Sequence, residues 1–294
     1  MQQHEYFTNN NGHLETPKGF LVAVGGNEDK DQDLSVLQKM VSLLDKKELA
    51  IEVITTASSI PEQVGAMYER PFAKIGNNKM QAMHIKSRGE CEKEEYIERI
   101  KAADIIFFSG GDQLRLSYIF RGTQLLDTIV DKYHNEKCII AGTSAGAAAM
   151  SKTMIYEGRS SEAFLKGGVK ITAGIGFLSN VIVDSHFITR SRFARLMQAV
   201  TSNPGHIGIG LGEDTGIIIR DGNLIETIGS GLVVVFGGSE IRHTNLDEIE
   251  NGEPLVVENL QVHTLSSGYG YDIHEEKFLL PSELEQRLIT EVLE

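Results

Sequence analysis

Short apolar runs alternate with amphipathic stretches from residue 19 to residue 211, and this alternation limits the possible folds more than any other feature of the chain. The runs fall at 19–24, 50–56, 80–85, 104–108, 137–141, 180–184 and 207–211. Helical patterns lie between several of them, at 33–46, 93–102, 113–134, 145–153 and 187–200. In the first, Leu34, Leu37, Val41 and Leu44 recur at three- and four-residue steps, which places them on one helix face. Strand and helix in alternation predict parallel strands joined by right-handed crossovers, because only that hand packs the helix back onto a twisted sheet. The expected fold is therefore α/β: a doubly wound, mostly parallel sheet with flanking helices. From about residue 215 the text changes to short β runs with glycine turns, TGIIIRDGNLIETIGSGLVVVFGG, so the C-terminal portion is expected to be β-rich. A last helix is expected in SELEQRLITEVL, with Ser282 as N-cap and Glu285 three residues on. No linker, repeat or low-complexity tract interrupts residues 19–294, which read as a single domain after a polar, flexible leader at 1–18.

Composition removes several classes of function. A formal charge of −13 argues against nucleic-acid partners, since phosphate contacts need clustered Lys and Arg. It is compatible with a cationic or zwitterionic substrate. No run approaches a membrane span, and the polar N-terminal stretch lacks a signal-peptide core, so no membrane partner and a cytoplasmic location are expected. The two cysteines, Cys91 and Cys138, sit in dissimilar surroundings, one charged and one mid-strand, which predicts no disulfide and fits a reducing interior.

In an open parallel sheet, ligands bind beyond the carboxyl ends of the strands. There the polar residues collect. Run 137–141 leads into Gly142-Thr143-Ser144-Ala145-Gly146, a G-x-S-x-G pattern in which a strained turn pushes a serine hydroxyl above the sheet. Plain close packing between strand and helix is the competing reading. A serine needs a base within hydrogen-bond reach, itself oriented by an acid. Of nine histidines, His186 alone immediately follows a strand in this part of the sheet, and either Glu213 or Asp214 could hold its tautomer. Glu213 is favoured by position, because Asp214 could instead cap the turn before Thr215-Gly216. An oxyanion needs converging backbone N–H groups. Ala145 N–H at a helix start is one candidate, and Gly110 or Gly111 supplies the other. Neither GGNEDK nor GGDQLR completes a nucleotide-binding pattern, and acidic residues follow both at once. In HFITRSRFARL, three arginines crowd one segment of an acidic chain: Arg190, Arg192 and Arg195. A solvated helix face would explain one of them. Three directly after a candidate base are better explained by carboxylate recognition, with Arg192 and Arg195 on one face and Arg190 pointing differently. No ligand spacing suggests a metal, and no cofactor is expected.

The ordered blocks GGNED, SGGDQ, GTSAGA, DxHFxxRxRxxRL and GLGEDTG resemble those of the cyanophycinases, serine peptidases related to the aspartyl dipeptidases and more remotely to class I glutamine amidotransferases. The C-terminal LQVHTLSSGYGYDI looks like that family's closing segment, so the resemblance covers most of the chain. It implies a triad of Ser144, His186 and Glu213, with Gly111 and Ala145 N–H groups at the oxyanion. It further implies a substrate site lined by Asn27, Asp112, Gln113, Asp184, Ser185, Arg190, Arg192 and Arg195. The implied activity is that of a serine-type exopeptidase on multi-L-arginyl-poly-L-aspartate, releasing β-aspartyl-arginine dipeptides through an acyl-enzyme. A homodimer is implied as well. One departure stands out: many relatives carry Asp-Gln-His where this chain has Asp184-Ser185-His186, and the loss of the amide alters a substrate contact there. Two other readings are compatible with these blocks, an aspartyl dipeptidase acting on small peptides and an inactive binding protein on the same fold.

Overall fold

The computed structural model describes residues 16–77 and 79–293. Its strands, in chain order, are β1 (Phe20–Val24), β2 (Ile51–Ile54), β3 (Met80–Met83), β4 (Ile105–Phe108), β5 (Ile139–Thr143), β6 (Thr153–Gly158), β7 (Val169–Ala173), β8 (Val181–Asp184) and β9 (Ile207–Leu211). They continue with β10 (Thr215–Arg220), β11 (Leu224–Gly229), β12 (Val233–Gly237), β13 (His243–Thr244), β14 (Val257–Glu258), β15 (Gln261–Leu265), β16 (Gly270–Asp272) and β17 (Lys277–Leu279). The helices are α1 (Ser35–Val41), α2 (Pro61–Lys74), α3 (Glu94–Ala102), α4 (Gln113–Phe120), α5 (Gln124–Asn135), α6 (Ala145–Ala149), α7 (Phe193–Thr201) and α8 (Pro281–Leu293).

The main sheet has nine strands in the order β17-β16-β11-β10-β1-β5-β4-β2-β3. From β1 to β3 every pairing is parallel, with Leu21 opposite Ile140 and Ile106 opposite Ile140 in register. On its other edge β1 pairs antiparallel with β10, and the sheet continues through antiparallel pairings to β17. Successive residues of the parallel strands feed opposite cores, as a period of two requires. Leu21, Ala23, Ile106, Phe108 and Ile140 pack toward α3–α6, while Val22, Val24, Ile105, Phe107, Ile139 and Ala141 pack toward α1 and α2. Burial on both faces is why these strands read as continuous apolar runs. Each such Leu, Ile or Phe contributes about 1.5–3 kcal/mol through removal from water.

A second sheet, β15-β12-β9-β8, lies on the α3–α6 side and closes that core with Val181, Val183, Ile209, Leu211, Val233 and Val235. The runs at 180–184 and 207–211 therefore pair with each other, not with the main sheet. Two sheets consequently deliver residues to one site.

Several helices are shorter than their periodicity suggests. The stretch 113–134 is broken between α4 and α5, where Thr123 Oγ1 accepts from Leu126 N–H and starts a new helix. After α6, residues 153–158 form β6, because they gain a strand partner in β7. Residues 187–191 are turn, and α7 begins only at Phe193, since His186 and Ser191 hold left-handed φ values of 48° and 50° that no helix accepts. Helix α2 has no counterpart in the expected pattern. Its signals are Pro61 at the first helical position and the four-residue steps Val64, Tyr68, Phe72. Residues 1–15 of the expected leader lie outside the described residues. The rest of it already joins the fold, with Lys18 N–H donating to His134 O at 3.2 Å.

Candidate active site

Strand β5 ends in the turn that carries Ser144, whose φ of 52° and ψ of −109° lie where a side chain is strained by roughly 1–3 kcal/mol. Two glycines make the turn possible. A Cβ on Gly142 would stand 2.6 Å from the Gly146 carbonyl carbon, and one on Gly146 would stand 2.3 Å from Phe108 O. Strand end, helix start and β4 thus close to a distance only glycine permits, and Ser144 is left on top. Its own N–H donates to Val24 O at 2.9 Å, which ties the elbow to the end of β1.

From the second sheet, β8 delivers His186 and β9 delivers Glu213. His186 N–H donates to Gly25 O at 2.7 Å. Its ring lies against Gly26, where a Cβ would come within 2.5 Å of the imidazole. Nδ1 lies 2.7 Å from Glu213 Oε1, and Nε2 lies 2.9 Å from Ser144 Oγ. With Nδ1–H donating to the carboxylate, Nε2 is left to accept from the serine hydroxyl. Asn27 Nδ2 donates to the other carboxylate oxygen, Oε2, at 3.3 Å. Asp214 has different duties: its carboxylate accepts from Asp29 N–H at 2.9 Å and from Ser230 Oγ at 2.7 Å, and its φ is 46°. It shapes the turn, and Glu213 is the acid facing the imidazole. Left-handed non-glycine residues cluster here, with Asn27, Ser144, His186 and Asp214 all at positive φ. Such strain persists where the surrounding structure over-determines it.

The His186 hydrogen bond, reinforced by Asn27 and the nearby charges of His186 and Arg190, holds the Glu213 carboxyl below its ordinary value. A depressed carboxylate contributes stability that is present above its unfolded pKa of 4.5 and lost as the pH falls through the folded value. The difference in melting temperature between the wild type and Glu213→Gln is therefore expected to close as the pH is lowered below about 4.5. Paired thermal melts across the acid range check this; a difference that widens on acidification contradicts it.

Around this relay the expected site residues divide into two groups. Asn27, Asp112 and Arg190 are exposed, and Gln113 is half-buried. Gly110 lies against the nucleophile, where a Cβ would be 3.3 Å from Ser144 Cβ and 3.8 Å from Oγ. Ala145 N–H is the first of helix α6 and, like the first N–H groups of any helix, has no partner within it. Asp112 Oδ1 caps α4 by accepting from Leu114 N–H at 2.8 Å, and Gln113 Nε2 donates to Ile155 O at 3.2 Å.

The second group is interior. Asp184 is 1% exposed, and Arg195 is 6% exposed. Arg195 grips both carboxylate oxygens, with Nε at 2.5 Å from Oδ2 and Nη2 on Oδ1. Arg192 adds Nη1 at 3.1 Å from Oδ1 and at 2.8 Å from Ser185 O. Arg192 is the N-cap of α7 and Arg195 lies in its first turn, and both reach back to the end of β8. Each oxygen of Asp184 already accepts from a guanidinium, so this carboxylate is not presented to a substrate cation. Ser185, at 5% exposure, is equally interior. Burial lowers the Arg192 guanidinium to about 10 against the pull of Asp184, which leaves it cationic at neutral pH.

Glu28 has no assigned role in the sequence pattern, yet it is buried and accepts from Thr143 Oγ1, next to Ser144. The signal for it was a carboxylate one residue beyond a strand-end glycine turn. Among the described residues no group of three or more His, Cys, Asp or Glu could hold a metal ion, and no helix is long and apolar enough to cross a membrane.

Comparisons with known proteins identify the family and the fold. The family described as Peptidase family S51 matches residues 20–227. The chain is 35% identical over 268 residues to a protein named cyanophycinase from Synechococcus elongatus, covering 90% of this chain and 83% of that one. It is 33% identical over 262 residues to a cyanophycinase from Trichormus variabilis, covering 89% and 88%. Among solved structures, a peptidase from an acI-B1 Actinobacterium matches with a TM-score of 0.64 at 20% identity, over 88% of this chain and 98% of that chain. At that identity the likeness is one of fold.

Proposed function

The chain belongs to peptidase family S51, and on that premise we propose that it is a serine peptidase that hydrolyses cyanophycin, with Ser144, His186 and Glu213 as its triad. The observation that carries the assignment is the continuous relay from Ser144 Oγ through His186 to Glu213, at 2.9 and 2.7 Å. Relatives named cyanophycinase, matched over about nine-tenths of the chain, support the substrate.

In this mechanism His186 Nε2 takes the Ser144 proton as Oγ bonds to a backbone carbonyl carbon of the polyaspartate chain. The carbonyl oxygen becomes an oxyanion, stabilised by N–H groups of Gly111 and Ala145. His186 then gives its proton to the amide nitrogen as the C–N bond breaks. Water, deprotonated by the same imidazole, releases the acyl group as a β-aspartyl-arginine unit. Glu213 holds the ring in the required tautomer and stabilises the imidazolium. The order Ser…His…Glu differs from that of α/β-hydrolases, as expected for an independent use of the same chemistry.

Recognition of the repeat needs a cation for its carboxylate and an acid for its guanidinium. Arg190 is an exposed cation close enough to the relay for its charge to act on Glu213. Asp112, exposed beside Gly111, is the acid, in place of the buried Asp184. Arg190→Ala is expected to lower kcat/KM on the polymer by about ten- to a hundredfold, the loss of one charged hydrogen-bonding partner. Melting temperature should stay unchanged, because Arg190 is a surface residue. Steady-state kinetics beside a thermal melt measure both, and an unchanged kcat/KM removes Arg190 from the site.

The reading includes a homodimer acting in the cytoplasm; Cys91 and Cys138, buried and unpaired, fit a reducing compartment and say nothing about the dimer. Incubating the purified protein with cyanophycin granules and, separately, with small aspartyl dipeptides tests the function. Mass spectrometry should find β-aspartyl-arginine from the granules. Cleavage of the dipeptides alone would assign a different substrate.

A further inference from the structure

One short turn touches every member of the relay, and a single buried carboxylate anchors that turn. Val24 O accepts from Ser144 N–H at 2.9 Å, Gly25 O accepts from His186 N–H at 2.7 Å, and Gly26 O accepts from Asp214 N–H at 3.0 Å. Gly26 carries the imidazole on its bare Cα, and Asn27 Nδ2 reaches Glu213. The next residue is Glu28, which is 3% exposed. Its Oε1 accepts from Tyr68 OH at 2.5 Å, and its Oε2 accepts from Thr143 Oγ1 at 2.6 Å. Lys30 Nζ lies 2.9 Å from Oε1 and also donates to Glu28 O at 3.0 Å.

These partners belong to different parts of the fold. Thr143 immediately precedes Ser144 on β5. Tyr68 stands on α2, its ring 5.0 Å from that of Phe107 in the core. Burial beside the Glu28 charge keeps the Tyr68 hydroxyl protonated and so a donor, its pKa being well above the ordinary value. A buried carboxylate is a poor way to gain stability, because the desolvation penalty consumes most of what its partners return. What such a group supplies is a fixed geometry, set by directional hydrogen bonds on both oxygens.

We infer that Glu28 is a positioning residue for the reaction: it clamps the Gly25–Asn27 turn, and with it His186 and Glu213, to the strand end that holds Ser144. The inference rests on the triad assigned above. Glu28 touches neither substrate nor the reacting atoms, so its effect should fall on kcat and not on KM. A displacement of about 1 Å in a relay is enough to cost about a hundredfold in rate.

The test compares wild type, Glu28→Ala, Glu28→Gln, Tyr68→Phe and Thr143→Val, each verified as folded by circular dichroism at the assay temperature. Two readouts are taken: kcat and KM on cyanophycin, and the rate at which a small fluorophosphonate labels Ser144. Glu28→Ala is expected to lower kcat by about thirty- to a hundredfold with KM within about twofold, and to slow labelling in parallel. Glu28→Gln should recover most of this, since its amide can still accept from Tyr68 and donate to Thr143 Oγ1. Wild-type kcat and labelling in a folded Glu28→Ala protein would overturn the inference. If Glu28→Ala does not fold, Tyr68→Phe and Thr143→Val decide: a several-fold fall in kcat in each supports the clamp, and wild-type kcat in both removes it. Failure of the triad itself is read separately, as absence of labelling or cleavage in the wild type.

Discussion

Replacing Ser144 with alanine is expected to lower cyanophycin turnover by about a thousandfold or more, with no loss of folded protein. Only Oγ is removed, and Oγ is the atom 2.9 Å from His186 Nε2. Without it no acyl-enzyme forms, and what remains is the modest acceleration from binding and the oxyanion donors. The backbone of the elbow depends on Gly142, Gly146 and the Ser144 N–H bond to Val24 O, none of which needs the hydroxyl. Thermal melting should therefore match the wild type. Single-turnover assays beside a melt measure both quantities. Turnover near the wild-type rate in a correctly folded Ser144→Ala protein would remove the serine mechanism.

The second large effect is on stability. Asp184→Ala is expected to destabilise the fold by about 3–5 kcal/mol, the cost of leaving a buried charge without its partner. Arg195, at 6% exposure, would lose the carboxylate that meets two of its nitrogens, and the remaining Gly158 carbonyl at 3.5 Å does not neutralise it. Arg192 would lose the same partner. Because this cluster closes the end of β8, whose last residue is Asp184, activity should fall through loss of folded protein. Denaturant titration should thus show a lowered midpoint, whereas Arg190→Ala should leave it in place. A wild-type midpoint for Asp184→Ala would return Asp184 to the substrate surface.

The contrast between these two residues indicates what a sequence can reveal. The parallel half of the main sheet was legible because β1, β2, β4 and β5 are buried on both faces, and such strands print as uninterrupted apolar runs. The Ser144 elbow was legible because its turn needs small residues at fixed offsets, and His186 because it stands just past the apolar run 180–184. Pairing partners left no such mark. Strands β8 and β9 look like more of the same sheet, and only tertiary contact assigns them to a second one. For the same reason Asp184 reads as a ligand-facing acid. Its burial depends on Arg192 and Arg195 folding back from α7, which the i, i+3 spacing permits but does not require. Helix ends were overestimated wherever a positive φ, as at His186 and Ser191, stops a periodic pattern that continues in the letters. Position favoured Glu213 over Asp214, and the partners agree: Glu213 meets the imidazole, whereas Asp214 accepts from Asp29 N–H and Ser230 Oγ.

The most direct measurement is to treat the purified protein with a fluorophosphonate, map the modified residue by peptide mass spectrometry, and follow cyanophycin cleavage as modification proceeds. One label per chain is expected, on Ser144, with cleavage lost in proportion to labelling. Undiminished cleavage by fully labelled protein, or inactivation through a label on any other residue, would contradict it.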